Sequence, residues 1–237
     1  MVTEVIDSSP QRRSVWHRDG RGGYHRRGGL PPGAASGASP TGGRLGRFCL
    51  GSRFERPGDG RGYRAVMRTV ITGGAGFLGV LLTQRLLDAP DSAVAPAESR
   101  RIVVADRVAT PVVDDRVASV DLDLCGPDRS LVELVAGADL VVHLAAVVSA
   151  DAEASPERAW QTNVDASRRL LEACGTAAPG CRFLATSSVA VFAGDGEPSG
   201  DRSRAVPAST YGMTKAMLEL LVNEATRRGA VDGRTAR

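Results

Sequence analysis

MRTVITGGAGFLGVLLTQRLLD, running from Met67 to Asp88, decides the fold of this 237-residue chain. Arg68 to Thr72 is a short apolar run that predicts a strand, and FLGVLLTQRLLD from Phe77 to Asp88 carries apolar residues at helical spacing. Between them lies a glycine turn, with Gly73, Gly76 and Gly79 in a GxxGxxG spacing. Gly73 permits a tight turn, Gly76 lets the backbone approach a pyrophosphate, and Gly79 allows the helix to pack closely on the strand. The first helical N–H groups and the positive end of the helix then face an anion. A glycine triplet alone also fits a structural turn. Its place after a strand and before an amphipathic helix points to dinucleotide binding, and Phe77 and Leu78, directly after Gly76, fall on the same candidate cofactor surface.

Working outward, residues 89–100 read as a loop. Strands are predicted at Arg101–Asp106 (RIVVAD), near Arg116–Val120, at Leu140–Ala146 (LVVHLAA) and at Arg182–Ser187 (RFLATS). Helices are predicted at Asp128–Val135, Pro156–Cys174 and Thr210–Arg228. Strands alternating with helices of this length indicate an α/β fold, a Rossmann-type doubly wound parallel sheet with right-handed crossovers. Asp106 closes the second strand 27 residues after Gly79. Its carboxylate suits the hydroxyls of an adenosine ribose and would repel a 2′-phosphate, so NAD is expected rather than NADP. Arg107 beside it reads as a solvated loop residue.

Charge and glycine are unevenly spread. Residues 1–66 hold 14 of the 28 glycines and 12 arginines against 5 acids, whereas residues 67–237 hold 18 basic and 22 acidic side chains. The net charge of +3 therefore comes from the first segment, and a uniformly basic nucleic-acid-binding domain is excluded. Residues 1–66, despite the Arg/Gly string RGGYHRRGG, read as a disordered Gly/Arg/Pro-rich extension with too little apolar surface to offset its ordering entropy. Met67, directly before the first strand, is a candidate translation start. The four cysteines form no CxxC pair and have no histidine nearby, so neither a metal site nor a disulfide framework is expected. No apolar run approaches the roughly 18–20 residues of a membrane span, and no secretory apolar region is present, so a cytoplasmic protein without a membrane partner is expected. Of the 30 basic residues, a single one is lysine, Lys215.

Read in order, the landmarks are the glycine turn, Asp106, Asp121 after the third strand, HLAA from His143 to Ala146, Asn163 in NVDAS, the pair Ser187–Ser188, and YGMTK from Tyr211 to Lys215. This ordered set resembles the extended short-chain dehydrogenase/reductase family, the NAD-dependent epimerase/dehydratase group, from Met67 to the last residue. The resemblance implies that Tyr211 is the acid/base, that Lys215 lowers its pKa and binds the nicotinamide ribose, and that Ser188 positions the substrate hydroxyl. The residue types suit the chemistry. Oxidising a secondary alcohol needs a base, and bringing a phenol from its ordinary pKa of about 10 to near neutrality takes roughly 4 kcal/mol. A lysine ammonium four positions along the same helix face, with the charge of the oxidised nicotinamide, can supply it.

The resemblance further implies that Asp121 and Leu122 border the adenine and that Ala145 and Ala146 leave room for the cofactor. It makes Asn163 a brace of the active site and a homodimer through the helix of Tyr211 a possible assembly. His143 is expected to be a packing residue and Asp123 a solvated one, and Phe192 stands where many relatives have tyrosine. Val189 and Ala190 after Ser188, in place of an Asp-Glu pair, argue against a 4,6-dehydratase. The strings HLAAVVSADAEA, TSSVAVFAG, STYGMTKAMLELLVNEATRRG and VDGR resemble the D-erythronate dehydrogenase branch. That implies oxidation of a secondary hydroxyl of a small sugar acid, with Ser149 either a substrate contact or an ordinary loop residue. Family members continue beyond this chain, so residues 67–237 are expected to form an NAD-binding Rossmann domain lacking most of the C-terminal substrate domain, with the next strand beginning near Arg237. A nucleotide-sugar epimerase and an NAD-holding module without turnover are the alternatives.

Overall fold

A computed structural model describes residues 66–91, 96–192 and 203–237, with three short strands nearer the N-terminus: β1 (Val5–Ile6), β2 (Trp16–Arg18) and β3 (Tyr24–Arg26). The disorder expected for residues 1–66 otherwise falls outside the described residues. The β-branched run before the glycine turn forms β4 (Met67–Thr72), and the helical period after it forms α1 (Phe77–Asp88). Five further strands lie parallel to β4 or to one another: β5 (Arg100–Asp106), β6 (Val117–Asp121), β7 (Leu140–His143), β8 (Arg182–Thr186) and β9 (Asp232–Ala236). Their order is β6-β5-β4-β7-β8-β9, and β1 pairs antiparallel with the outer edge of β9. The chain winds one way from β4 to β6 and the other way from β7 to β9. The reversal between β4 and β7 opens a crevice at the carboxyl ends of the strands, where doubly wound sheets bind ligands.

Alternation along the strands sends neighbouring residues to opposite faces. Val70, Val103, Val141 and Phe183 meet Leu131 and Val135 of α2 (Asp128–Val135), Leu170 of α5 (Ala166–Ala177) and Leu218 of α6 (Thr210–Arg227). Ile71, Val104 and Val142 face the other way, onto Leu86 of α1. Cys174 and Cys181 are buried thiols, and their mutual hydrogen bond, together with burial, holds Cys174 above the ordinary thiol range. No described helix is long and apolar enough to cross a membrane.

Three elements differ from the sequence expectation. The strand expected through Ala146 ends at His143, because Leu144 N makes the last ladder bond, to Thr72 O at 3.0 Å, and β4 then turns away at Gly73. The single helix expected over Pro156–Cys174 is divided into α4 (Pro156–Trp160), a π-turn over Gln161–Asp165, and α5. The next strand, expected near Arg237, is already complete as β9 beside β8. Its sequence DGRTA has no apolar alternation, and Gly233 serves close packing: a Cβ there would stand 2.6 Å from Val222 Cγ1.

Candidate active site

The three glycines of the turn have separate duties. Gly73 has φ +70°, and a Cβ on it would lie 2.5 Å from Ala145 N, so the turn presses directly against the chain leaving β7. A Cβ on Gly79 would lie 2.3 Å from Gly74 Cα, which places the first turn of α1 against the loop. At Gly76 the space is open, with only Gly73 O at 3.3 Å from a Cβ position. Gly76 is also the N-cap of α1, and no side chain caps that helix. An open backbone cradle at an uncapped helix N-terminus fits a pyrophosphate. Phe77 and Leu78 are 84% and 54% exposed at its rim, and Ala145 and Ala146 lie half-buried across the crevice.

Asp106 stands at the carboxyl end of β5, beside this cradle. Its Oδ2 accepts from Ala75 N at 3.1 Å and its Oδ1 from Arg107 N at 2.7 Å, so the turn itself orients the carboxylate. A carboxylate has further lone pairs for ribose hydroxyls. Asp121 is its register partner on β6, and Leu122 N donates to Asp106 O at 2.9 Å. The predicted ribose acid and the predicted adenine border are thus joined.

On the other side of the switch point, β8 ends beside α6. Ser188 caps a short 3-10 turn, Val189–Val191, by accepting from Ala190 N at 3.1 Å. Ser187 faces elsewhere, donating from Oγ to buried Glu219. Tyr211 and Lys215 occupy successive turns of one face of α6, with Lys215 Nζ 5.8 Å from the Tyr211 ring centroid. Lys215 Nζ donates to Thr186 O at 2.8 Å, and burial pulls its pKa down to about 8. Burial raises the Tyr211 phenol above its ordinary value, and the Ser188 hydrogen bond opposes that rise. Tyr211 thus has Lys215 on one side and Ser188 as a neighbour on the other.

A buried chain of polar groups supports this cluster. Thr72 Oγ1 lies 2.7 Å from His143 Nδ1, His143 Nε2 lies 2.8 Å from Ser167 Oγ, and Ser167 donates to Asn163 O at 2.8 Å. Asn163 Oδ1 accepts from Val147 N at 2.7 Å, and Nδ2 donates to Val147 O at 2.9 Å and to Thr214 Oγ1 at 3.1 Å. Thr214 in turn donates to Tyr211 O at 2.9 Å. Both Asn163 amide protons are thus spent on bracing. Burial, and secondarily the Lys215 charge, lower the His143 pKa to about 3, so the imidazole is neutral. Ser149 begins the short helix α3 (Ser149–Ala154) on the surface, and the Phe192 ring lies 4.8 Å below the Arg237 guanidinium.

Three residues escaped the sequence reading. Glu219 ties α6 to Ser187 and receives two Arg237 bonds of 2.7 Å; the Tyr-x3-Lys-x3-Glu spacing on one helix face was its signal. Thr214 had no signal apart from its neighbour. Gly212 did have one, since glycine in the first turn of a helix is costly unless something needs the space.

The profile of the NAD dependent epimerase/dehydratase family matches residues 69–237. The chain belongs to the NAD dependent epimerase/dehydratase family. D-erythronate dehydrogenase of Cupriavidus necator is 44% identical over 177 residues, covering 72% of this chain and 54% of that protein. D-erythronate dehydrogenase of Haemophilus influenzae is 39% identical over 169 residues, covering 70% of this chain and 52% of its own. A nucleoside-diphosphate-sugar epimerase from Agrobacterium tumefaciens superposes with a TM-score of 0.63 at 32% identity, covering 74% of this chain and 54% of that one. The chain spans about half the length of the curated relatives it matches.

Proposed function

We propose that this chain carries the cofactor and proton-transfer machinery of an NAD-dependent dehydrogenase that oxidises a secondary hydroxyl of a D-erythronate-like sugar acid. The observation that carries the reading is the Tyr211 ring with Lys215 Nζ 5.8 Å from its centroid on one face of α6, beside Ser188 at the crevice the glycine turn lines. Identity of 44% to a D-erythronate dehydrogenase supports the substrate class. The glycine turn, α1 and Asp106 would hold NAD, which supplies the hydride acceptor when bound. Ser188 orients the substrate hydroxyl, Tyr211 takes its proton, and the Lys215 charge favours the phenolate. Thr186 O fixes the Lys215 ammonium in place while Glu219 and Asn163 keep α6 in register.

The test is NADH formation by purified protein with NAD and D-erythronate. Tyr211→Phe is expected to lower kcat by at least about a hundredfold, the usual worth of a positioned acid/base, while leaving NAD affinity within about twofold. Firm NAD binding with no oxidation of any sugar acid would instead favour a binding module without turnover.

A further inference from the structure

The wall of the crevice on the adenosine side is a loop, and one arginine from a different element holds it. After β6 the chain runs irregularly from Leu122 to Pro127 before α2 begins. Its first residue is tied to the ribose acid through Leu122 N and Asp106 O. Its centre is a tight turn in which Gly126 N donates to Asp123 O at 2.9 Å and Cys125 N to Asp123 Oδ1 at 2.9 Å. Its far half is held by Arg169, which reaches across from α5. Nε donates to Asp128 Oδ1 at 2.5 Å, Nη1 to Leu124 O at 3.4 Å, and Nη2 to Gly126 O. The Arg169 side chain is 21% exposed, whereas Asp128 is 78% exposed. The ion pair alone would therefore contribute little, and the two carbonyl contacts are where the guanidinium constrains the backbone.

In a doubly wound sheet the acid at the end of the second strand meets the adenosine ribose, so the adenine lies outward from it, towards the third strand. Here those strands are β5 and β6, and the residues beyond β6 are the loop that Arg169 grips. We propose that Arg169 is a positioning residue for the adenine half of the dinucleotide: its three-pronged grip shapes Leu122–Gly126 into the adenine-facing wall. A planar guanidinium can bond three acceptors in a fixed fork, and an ammonium on a flexible stem cannot. The proposal rests on the dinucleotide reading of the crevice and is independent of the dehydrogenase chemistry.

The test compares ADP-ribose, which contains the adenine half, with nicotinamide mononucleotide, which lacks it. Dissociation constants are measured by calorimetry on the full chain, with urea midpoints recorded alongside. Arg169→Met and Arg169→Lys are both expected to weaken ADP-ribose about tenfold and leave nicotinamide mononucleotide unchanged. Gly126→Ala perturbs the same wall from the loop side, since its Cβ would lie 2.9 Å from Asp123 O, and it should weaken ADP-ribose selectively as well. Unchanged ADP-ribose affinity in the arginine variants overturns the proposal. So does equal weakening of both ligands, which would make Arg169 a general stabiliser, and so does full rescue by lysine. If the unaltered chain binds neither ligand, the dinucleotide reading itself fails, and that outcome is distinct from the other three.

Discussion

His143 shows how a single side chain can be fixed in one tautomer. Ser167 spends its only proton on Asn163 O, so towards His143 its oxygen must accept; Nε2 then carries the hydrogen, and Nδ1 accepts from the Thr72 hydroxyl. Every polar atom of the pair is satisfied in a site where His143 is 1% and Ser167 0% exposed. His143→Leu keeps the volume but strands the Thr72 hydroxyl and one Ser167 lone pair. Each unsatisfied buried group costs about 1–3 kcal/mol, so urea unfolding at neutral pH should show a loss of about 2–6 kcal/mol. His143→Gln, which can still reach Ser167, should lose clearly less, and equal losses in the two variants would show that these hydrogen bonds do not stabilise the fold. The sequence reading of His143 as a packing residue was right about burial. It missed the hydrogen bonds, because their partners lie 71 and 24 positions away.

At the scale of elements, the legible features were those whose cause is local. The turn from Gly73 to Gly79 and the helix behind it follow from neighbouring residues, as does the alternation of strands and helices, and the structure reproduces them in place. The π-turn over Gln161–Asp165 and the strand β9 depend on partners far along the chain: Asn163 meets Val147 and Thr214, and β9 pairs with β8. Neither leaves a periodic mark. The approach of α6 to the turn after Ser188 belongs with these, and it rests on Gly212, where a Cβ would lie 2.0 Å from Ala190 O. Gly212→Ala gains about 1 kcal/mol of helix propensity and loses about 1–3 kcal/mol to overpacking. Its larger effect is geometric, since α6 must move away from Ala190 and take Tyr211 from Ser188. A misplacement near 1 Å costs about a hundredfold in rate, so kcat in the proposed sugar-acid oxidation should fall by that order while NAD affinity stays near its original value. Retained kcat would mean that the close approach is not needed for proton transfer.

At the scale of the whole molecule, two buried bases of the site set the shape of stability against pH. His143 is an ordinary imidazole in the unfolded chain, at 6.5, and about 3 when folded. Lys215 is 10.5 unfolded and about 8 folded. In both cases the folded pKa is the lower one, so the unfolded chain binds more protons inside each window and folding weakens as pH falls through it. The His143 contribution is complete above pH 6.5 and is lost towards pH 3; the Lys215 contribution is complete above pH 10.5 and is already lost by pH 8. Between pH 7 and pH 4.5 the histidine should cost about 3 kcal/mol, and between pH 7 and pH 9 the lysine should restore about 1 kcal/mol. Cys174, raised in the fold, works against the lysine at alkaline pH, and Asp114, held low by Arg116, adds to the acid loss. Variants separate the contributions. Subtracting the His143→Gln profile from the original should leave an acid slope confined to the window from pH 3 to 6.5. Subtracting that of Lys215→Met should leave an alkaline rise that begins near pH 8. A difference profile for Lys215→Met that is flat from pH 7 to 10 would show that the ammonium is not desolvated by its burial beside Thr186 and Tyr211.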